Sequence, residues 1–160
     1  MPKLSLLPET GREPAADFTL PREDGSAVSL RELRGMKVVL FFYPRDNTPT
    51  CTLEAQDFTA LQAEFAQAGA VVMGISRDSV ASHQKFCAKA NLALPLLSDE
   101  DGAVCEAYGV WVEKTLYGKT SMGIERSTFL IDAEGRIAQV WRKVKQKGHA
   151  EAVLEALRAL

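Results

Sequence analysis

Two strand-length runs, Val38 to Tyr43 and Ala70 to Ser76, are apolar almost throughout and stand on either side of one amphipathic stretch. A strand without a polar face is buried on both sides, as the central strands of parallel sheets are. Parallel neighbours need a crossover, and the intervening segment supplies one. From Pro49 to about Ala68, the residues Ala55, Phe58, Leu61 and Phe65 fall on one helical face. Thr48 as N-cap and Pro49 at the first helical position give that helix a physical start.

The remaining elements complete a mixed α/β pattern. Asp24-Gly25 is a turn signal between residues 17–20 and 27–30 and predicts a small hairpin, preceded by an irregular arm of about 15 residues. A helix over about 80–90, capped by Asp78 or Ser79, leads to a short strand at Leu96–Ser98 and a short helix over 102–108. Residues 127–132 and 137–142 read as antiparallel strands joined through Asp132-Ala133-Glu134-Gly135. A final helix over 149–160 places Val153, Leu154, Leu157 and Leu160 on one face, with Glu151 at its favourable N-terminal end. The order is compatible with a thioredoxin-like fold: a mixed central sheet flanked by helices, carrying an N-terminal β-hairpin extension.

A chain of 160 residues is long enough for one full core and short for two, so residues 1–160 are expected to form one domain. A formal net charge of -2 offers no general attraction to nucleic acid or anionic membrane. No apolar run approaches the roughly 20 residues of a membrane span, and Met1-Pro2-Lys3-Leu4-Ser5 does not open a signal peptide. The expectation is therefore a cytoplasmic protein. Three cysteines, with no CxxC pair, exclude a disulfide scaffold and a thioredoxin-type dithiol.

Cys51 departs from the ordinary fate of cysteine, which is inert packing in a core. It falls in the first turn of a helix that leaves a buried strand, flanked by Thr50 and Thr52. The positive end of the helix dipole favours the thiolate, which is the nucleophilic form. With Thr48 as N-cap, the threonine hydroxyl is expected beside the backbone N–H of Cys51, close to the sulfur.

The segment Pro44-x-x-x-Thr48-x-x-Cys51 resembles the active-site motif of peroxiredoxins. Its setting, Phe42-Tyr43-Pro44-Arg45-Asp46-Asn47-Thr48-Pro49-Thr50-Cys51-Thr52-Leu53-Glu54-Ala55, is similar to the bacterioferritin comigratory protein (PrxQ) subfamily. Residues 95–99, 117–119 and 123–132 add further matches in family order. The resemblance implies a thiol peroxidase that reduces hydrogen peroxide and organic hydroperoxides. Cys51 would attack the peroxide and become a sulfenic acid, Arg126 would stabilise the thiolate and the polarised peroxide, Thr48 would orient the substrate, and Pro44 would shield the sulfur. Each has a plainer reading: a strand-edge arginine, a helix cap, a strand terminator. Glu54 also matches a family position but is equally a helix-favouring acid in the first turns. Thr50 departs from the glycine that many relatives carry before the cysteine.

A sulfenic acid condenses with a second thiol to form a disulfide. The position five residues after Cys51 that serves some members is Gln56 here, leaving Cys87 and Cys105. Cys87 matches the alternative resolving position of the subfamily and is preferred as the intramolecular partner. Thioredoxin or a similar dithiol reductant is the implied partner, no cofactor is implied, and a monomer is expected. His83 and Cys87, four apart, could also share a metal from one helix face, but no second close-spaced ligand pair accompanies them. The rival class is a non-catalytic thioredoxin-fold redox sensor or holdase, which would lack rapid, Cys51-dependent oxidation by peroxide.

Overall fold

A computed structural model describes residues 12–160. Within it, β3 (Lys37–Phe42), β4 (Ala70–Ser76) and β5 (Leu96–Ser98) are parallel, and β8 (Ser127–Ile131) and β9 (Ile137–Trp141) extend the sheet antiparallel, in the order β5-β4-β3-β8-β9. The mixed sheet expected from the sequence is the one observed. The two apolar runs pair along their length, Lys37 with Ala70 through Phe42 with Ile75.

Alternation along β3 divides the interior in two. Val39, Phe41 and Tyr43 face α1 (Pro49–Ala60), α2 (Gln62–Gln67), α3 (Val80–Ala90) and α5 (His149–Arg158), where Phe58, Phe65, Phe86, Val153 and Leu157 meet them. Val38, Leu40 and Phe42 face the other way. They pack under the hairpin of β1 (Thr19–Pro21) and β2 (Ala27–Ser29) and under α4 (Ala103–Ala107), against Leu20, Cys105 and Tyr108. At the β3–β4 crossing Gly74 leaves room for the Phe41 ring: a Cβ there would lie 2.8 Å from Phe41 Cζ and 2.9 Å from Leu96 Cδ2.

Two features differ from the sequence expectation. The helix read as continuous over 49–68 breaks at Leu61 into α1 and α2, and the step lets Phe58 and Phe65 both reach the core, their ring centroids 5.8 Å apart. A hairpin absent from the sequence reading, β6 (Trp111–Leu116) and β7 (Lys119–Ile124), stands off the central sheet and turns at Tyr117-Gly118, both at positive φ. Its strands are largely exposed, so no apolar face announced them. The greater part of the irregular arm, residues 1–11, lies outside the described residues.

Candidate active site

The chain leaves β3 at Tyr43, turns through Pro44 and Asp46, and passes Asn47 at φ 61 before α1 begins. Asparagine is among the few non-glycine residues that adopt this left-handed backbone readily. The turn puts Cys51 in the first turn of α1, 2% exposed. Pro49 brings no N–H, and those of Thr50 and Cys51 have no carbonyl within the helix, so backbone donors converge at its mouth.

Arg126, in the short link between β7 and β8, completes the centre. Its Nη2 donates to Cys51 Sγ at 3.2 Å, and its Nη1 donates to Glu54 Oε1 at 2.6 Å. Glu54 is one helical turn beyond Cys51 on the same face of α1, so a single guanidinium bridges both. A cation fixed against a buried sulfur is an arrangement that favours a thiolate over a thiol.

Glu54 is the functional-site residue that sequence reasoning left out. Its carboxylate is 1% exposed and its Oε2 has no hydrogen-bond partner among the described residues. Burial pushes its pKa up from 4.5 to about 7, against the lowering effect of the Arg126 charge and hydrogen bond. The site thus contains a carboxyl that changes charge near neutrality. The signal available in the sequence was the three-residue spacing from Cys51, which a first-turn helix acid explains equally well.

Thr48 is the N-cap of α1 by backbone conformation, but its side chain does not cap the helix. The hydroxyl instead donates to the Arg45 carbonyl at 3.0 Å, which corrects the expectation that it lies on the Cys51 N–H. A hydroxyl that donates in this way keeps its lone pairs for accepting a further hydrogen bond. Pro44 and Thr48 form one wall of a cleft of about 550 Å³ whose other wall is Trp111, Lys114, Met122 and Ile124 of the β6–β7 hairpin. The hairpin missed in the sequence is therefore the far side of this cleft.

All three thiols are free. Cys87, on α3, is half-buried and packs against the same helix-side cluster that contains Cys51. Burial, helped by the Glu23 and Asp46 charges, pushes its thiol up to about 11. Cys105 lies in the cluster on the opposite face of the sheet, fully buried, and burial together with Asp99 raises its pKa strongly. His83 does not join Cys87 in a ligand pair: it turns inward to Asp46 and the Leu97 carbonyl.

The AhpC/TSA family model matches residues 12–140. Peroxiredoxin Bcp of Xanthomonas campestris pv. campestris is 55% identical over 91% of this chain and 92% of its own length. Peroxiredoxin Bcp of Bacillus subtilis is 47% identical over 90% and 92%. The chain belongs to the AhpC/TSA family, as a peroxiredoxin of the Bcp/PrxQ kind. The solved structure of Xanthomonas campestris peroxiredoxin Q superposes with a TM-score of 0.85 at 54% identity, covering 89% of this chain and 90% of that one. Another structure of that organism's bacterioferritin comigratory protein, at 52% identity and TM-score 0.85 with the same coverage, is described in terms of its alkyl peroxide reduction activity. The peroxiredoxin fold accounts for the strand–turn–helix that delivers Cys51, and for the return of the chain through β8 that delivers Arg126.

Proposed function

We propose that this peroxiredoxin reduces hydrogen peroxide and organic hydroperoxides through Cys51, with Cys87 as resolving residue and a thioredoxin-like dithiol as reductant. The observation that carries the reading is the Arg126 Nη2 contact to Cys51 Sγ at 3.2 Å, in the first turn of a helix and beside a cleft. The Cys51 thiolate attacks the terminal peroxide oxygen, and the O–O bond breaks. The sulfur becomes a sulfenic acid, and the leaving oxygen takes a proton to depart as water or alcohol. Arg126 and the first-turn N–H groups stabilise the charge on the separating oxygen. Thr48 orients the peroxide, and Pro44 keeps bulk water from the sulfur.

The Cys87 thiol then attacks the sulfenic sulfur, releasing water and leaving an intramolecular disulfide. Two observations support Cys87 over Cys105. Cys51 and Cys87 share the helix side of the sheet, whereas Cys105 would have to cross it. The cysteines replaced by serine in two solved variants of the Xanthomonas campestris relative stand 36 residues apart, as do Cys51 and Cys87. Both residues are held on helices, and their Cα atoms are expected to start farther apart than the about 7 Å that a disulfide spans, so that bonding is accompanied by local unwinding of α1 and α3. A dithiol exchange returns both thiols. The single domain acts as a monomer in this scheme, since every reacting group comes from one chain.

The test is peroxide turnover with thioredoxin and its reductase on the wild type, Cys51→Ser and Cys87→Ser. Wild-type turnover that Cys51→Ser abolishes and Cys87→Ser strongly reduces is expected. Undiminished turnover in Cys87→Ser would move the resolving role elsewhere.

A further inference from the structure

Below the Cys51 loop lies a buried polar network that the peroxidase chemistry does not use. Asp46, five residues before Cys51, accepts from Tyr43 Oη at 2.6 Å on Oδ1 and from Ser82 Oγ at 2.8 Å on Oδ2. His83 Nδ1 reaches the same Oδ2 at 2.7 Å, and His83 Nε2 reaches the Leu97 carbonyl at 2.9 Å. A carbonyl can only accept, so Nε2 carries a proton. A carboxylate already accepting two hydroxyls also only accepts, so Nδ1 carries one too. His83 is therefore a fully buried imidazolium paired with a buried carboxylate.

Burial alone would drive such a ring neutral. The Asp46 hydrogen bond and charge, with the Leu97 carbonyl and the Asp78 charge, instead hold its pKa above the ordinary value. Asp78 braces the arrangement from the end of β4, where its Oδ2 accepts from the Asp46 N–H at 2.8 Å and from Ser76 Oγ at 2.6 Å.

The placement of the pair matters more than its presence. Asp46 lies on the loop that delivers Cys51, and His83 lies on α3 one turn before Cys87. We propose that His83 is a positioning residue whose ion pair with Asp46 latches the Cys51 loop to the Cys87 helix and sets how fast the sulfenic acid is resolved. This rests on Cys87 being the resolving residue. With the latch closed, the loop and α3 hold the arrangement that meets peroxide. For Cys51 and Cys87 to bond, one or both segments must leave, and the pair must separate. Separating a buried ion pair is costly unless both members reach water together. The latch therefore lengthens the life of the sulfenic acid and leaves it open longer to a second peroxide and over-oxidation.

The experiment compares wild type, His83→Gln and Cys87→Ser in single turnover with one equivalent of hydroperoxide. Samples are quenched with a sulfenic-acid trap and read by intact mass, and the over-oxidised fraction is then measured at excess peroxide. The latch predicts that His83→Gln forms sulfenic acid at the wild-type rate within about threefold. It predicts that the disulfide then forms about tenfold faster or more, with less over-oxidation. Ser82→Ala removes one hydrogen bond to Asp46 and leaves the pair, so it should shift the same ratio in the same direction by less. It decides the matter if His83→Gln does not fold. Resolution at the wild-type rate in the folded variant, or equal slowing of both steps, overturns the latch. A disulfide that persists in Cys87→Ser overturns the assignment of Cys87, and the latch with it. Its loss there, with resolution unchanged in His83→Gln, overturns the latch alone.

Discussion

Glu54→Gln isolates a single buried carboxyl and so offers a quantitative check on the electrostatics of the site. The side chain is 1% exposed, one of its oxygens has no partner among the described residues, and its pKa is raised from 4.5 to about 7. At about 1.4 kcal/mol per pH unit, that displacement amounts to about 3 kcal/mol of preference for the protonated form in the folded chain. The folded protein holds the proton more tightly than the unfolded one. Glu54 therefore contributes stability that is fully present below pH 4.5, falls away as pH rises from 4.5 to about 7, and is gone above. Glutamine keeps the shape and can still accept from Arg126, but it does not titrate. The assay is urea unfolding of reduced wild type and Glu54→Gln across pH 4.5 to 8, taking the difference in unfolding free energy at each pH. Titrating groups that do not interact with Glu54 cancel in the difference. Wild type should lose about 3 kcal/mol relative to the variant over that window and then level. A flat difference, or one that rises with pH, would instead mean that Arg126 keeps the carboxyl ionised in the folded chain.

His149 should tilt the profile the other way. Burial, followed by the Arg126 charge, lowers its pKa from 6.5 to about 4, so its contribution is lost as pH falls through that interval. In His149→Gln the same unfolding measurement should show the acid-side loss shrink by about 3 kcal/mol. Arg126→Gln removes the cation that donates to Cys51 Sγ and should slow its reaction with hydroperoxide by about 10²- to 10³-fold in stopped flow; an unchanged rate would remove Arg126 from the mechanism. Gly74→Ala places a Cβ 2.8 Å from Phe41 Cζ and should cost about 1–3 kcal/mol, read as a lower melting temperature.

Periodicity alone marked the two strands at the centre of the sheet. β3 and β4 are apolar on both faces because they are covered on both faces, and their parallel pairing follows from the single helical crossover between them. Pro44, Thr48 and Cys51 lie within eight residues, so one turn and one helix start position them together. Arg126 was legible only through the family resemblance, since 75 residues separate it from the sulfur it contacts. The β6–β7 hairpin was not legible: Leu116, Tyr117 and Met122 are exposed, so its apolar residues mark no buried face. The Thr48 hydroxyl was misplaced because a threonine before a helix has two local acceptors or donors to choose from, and here the Arg45 carbonyl wins. The Asp46–His83 pair spans 37 residues and joins two residue types that usually face solvent or a partner, so no local pattern announces it.

In the proposed mechanism Cys51 is a peroxide-reactive thiol whose sulfenic acid is captured within the same chain. One measurement addresses it most directly: intact mass of the reduced protein after a stoichiometric dose of hydroperoxide, followed in time for wild type, Cys51→Ser and Cys87→Ser. Rapid loss of two hydrogens is expected in the wild type and no rapid change in Cys51→Ser. In Cys87→Ser the expected change is gain of one or more oxygens. Slow oxidation of the wild type at the pace of free cysteine, or the same two-hydrogen loss in Cys51→Ser, would contradict it.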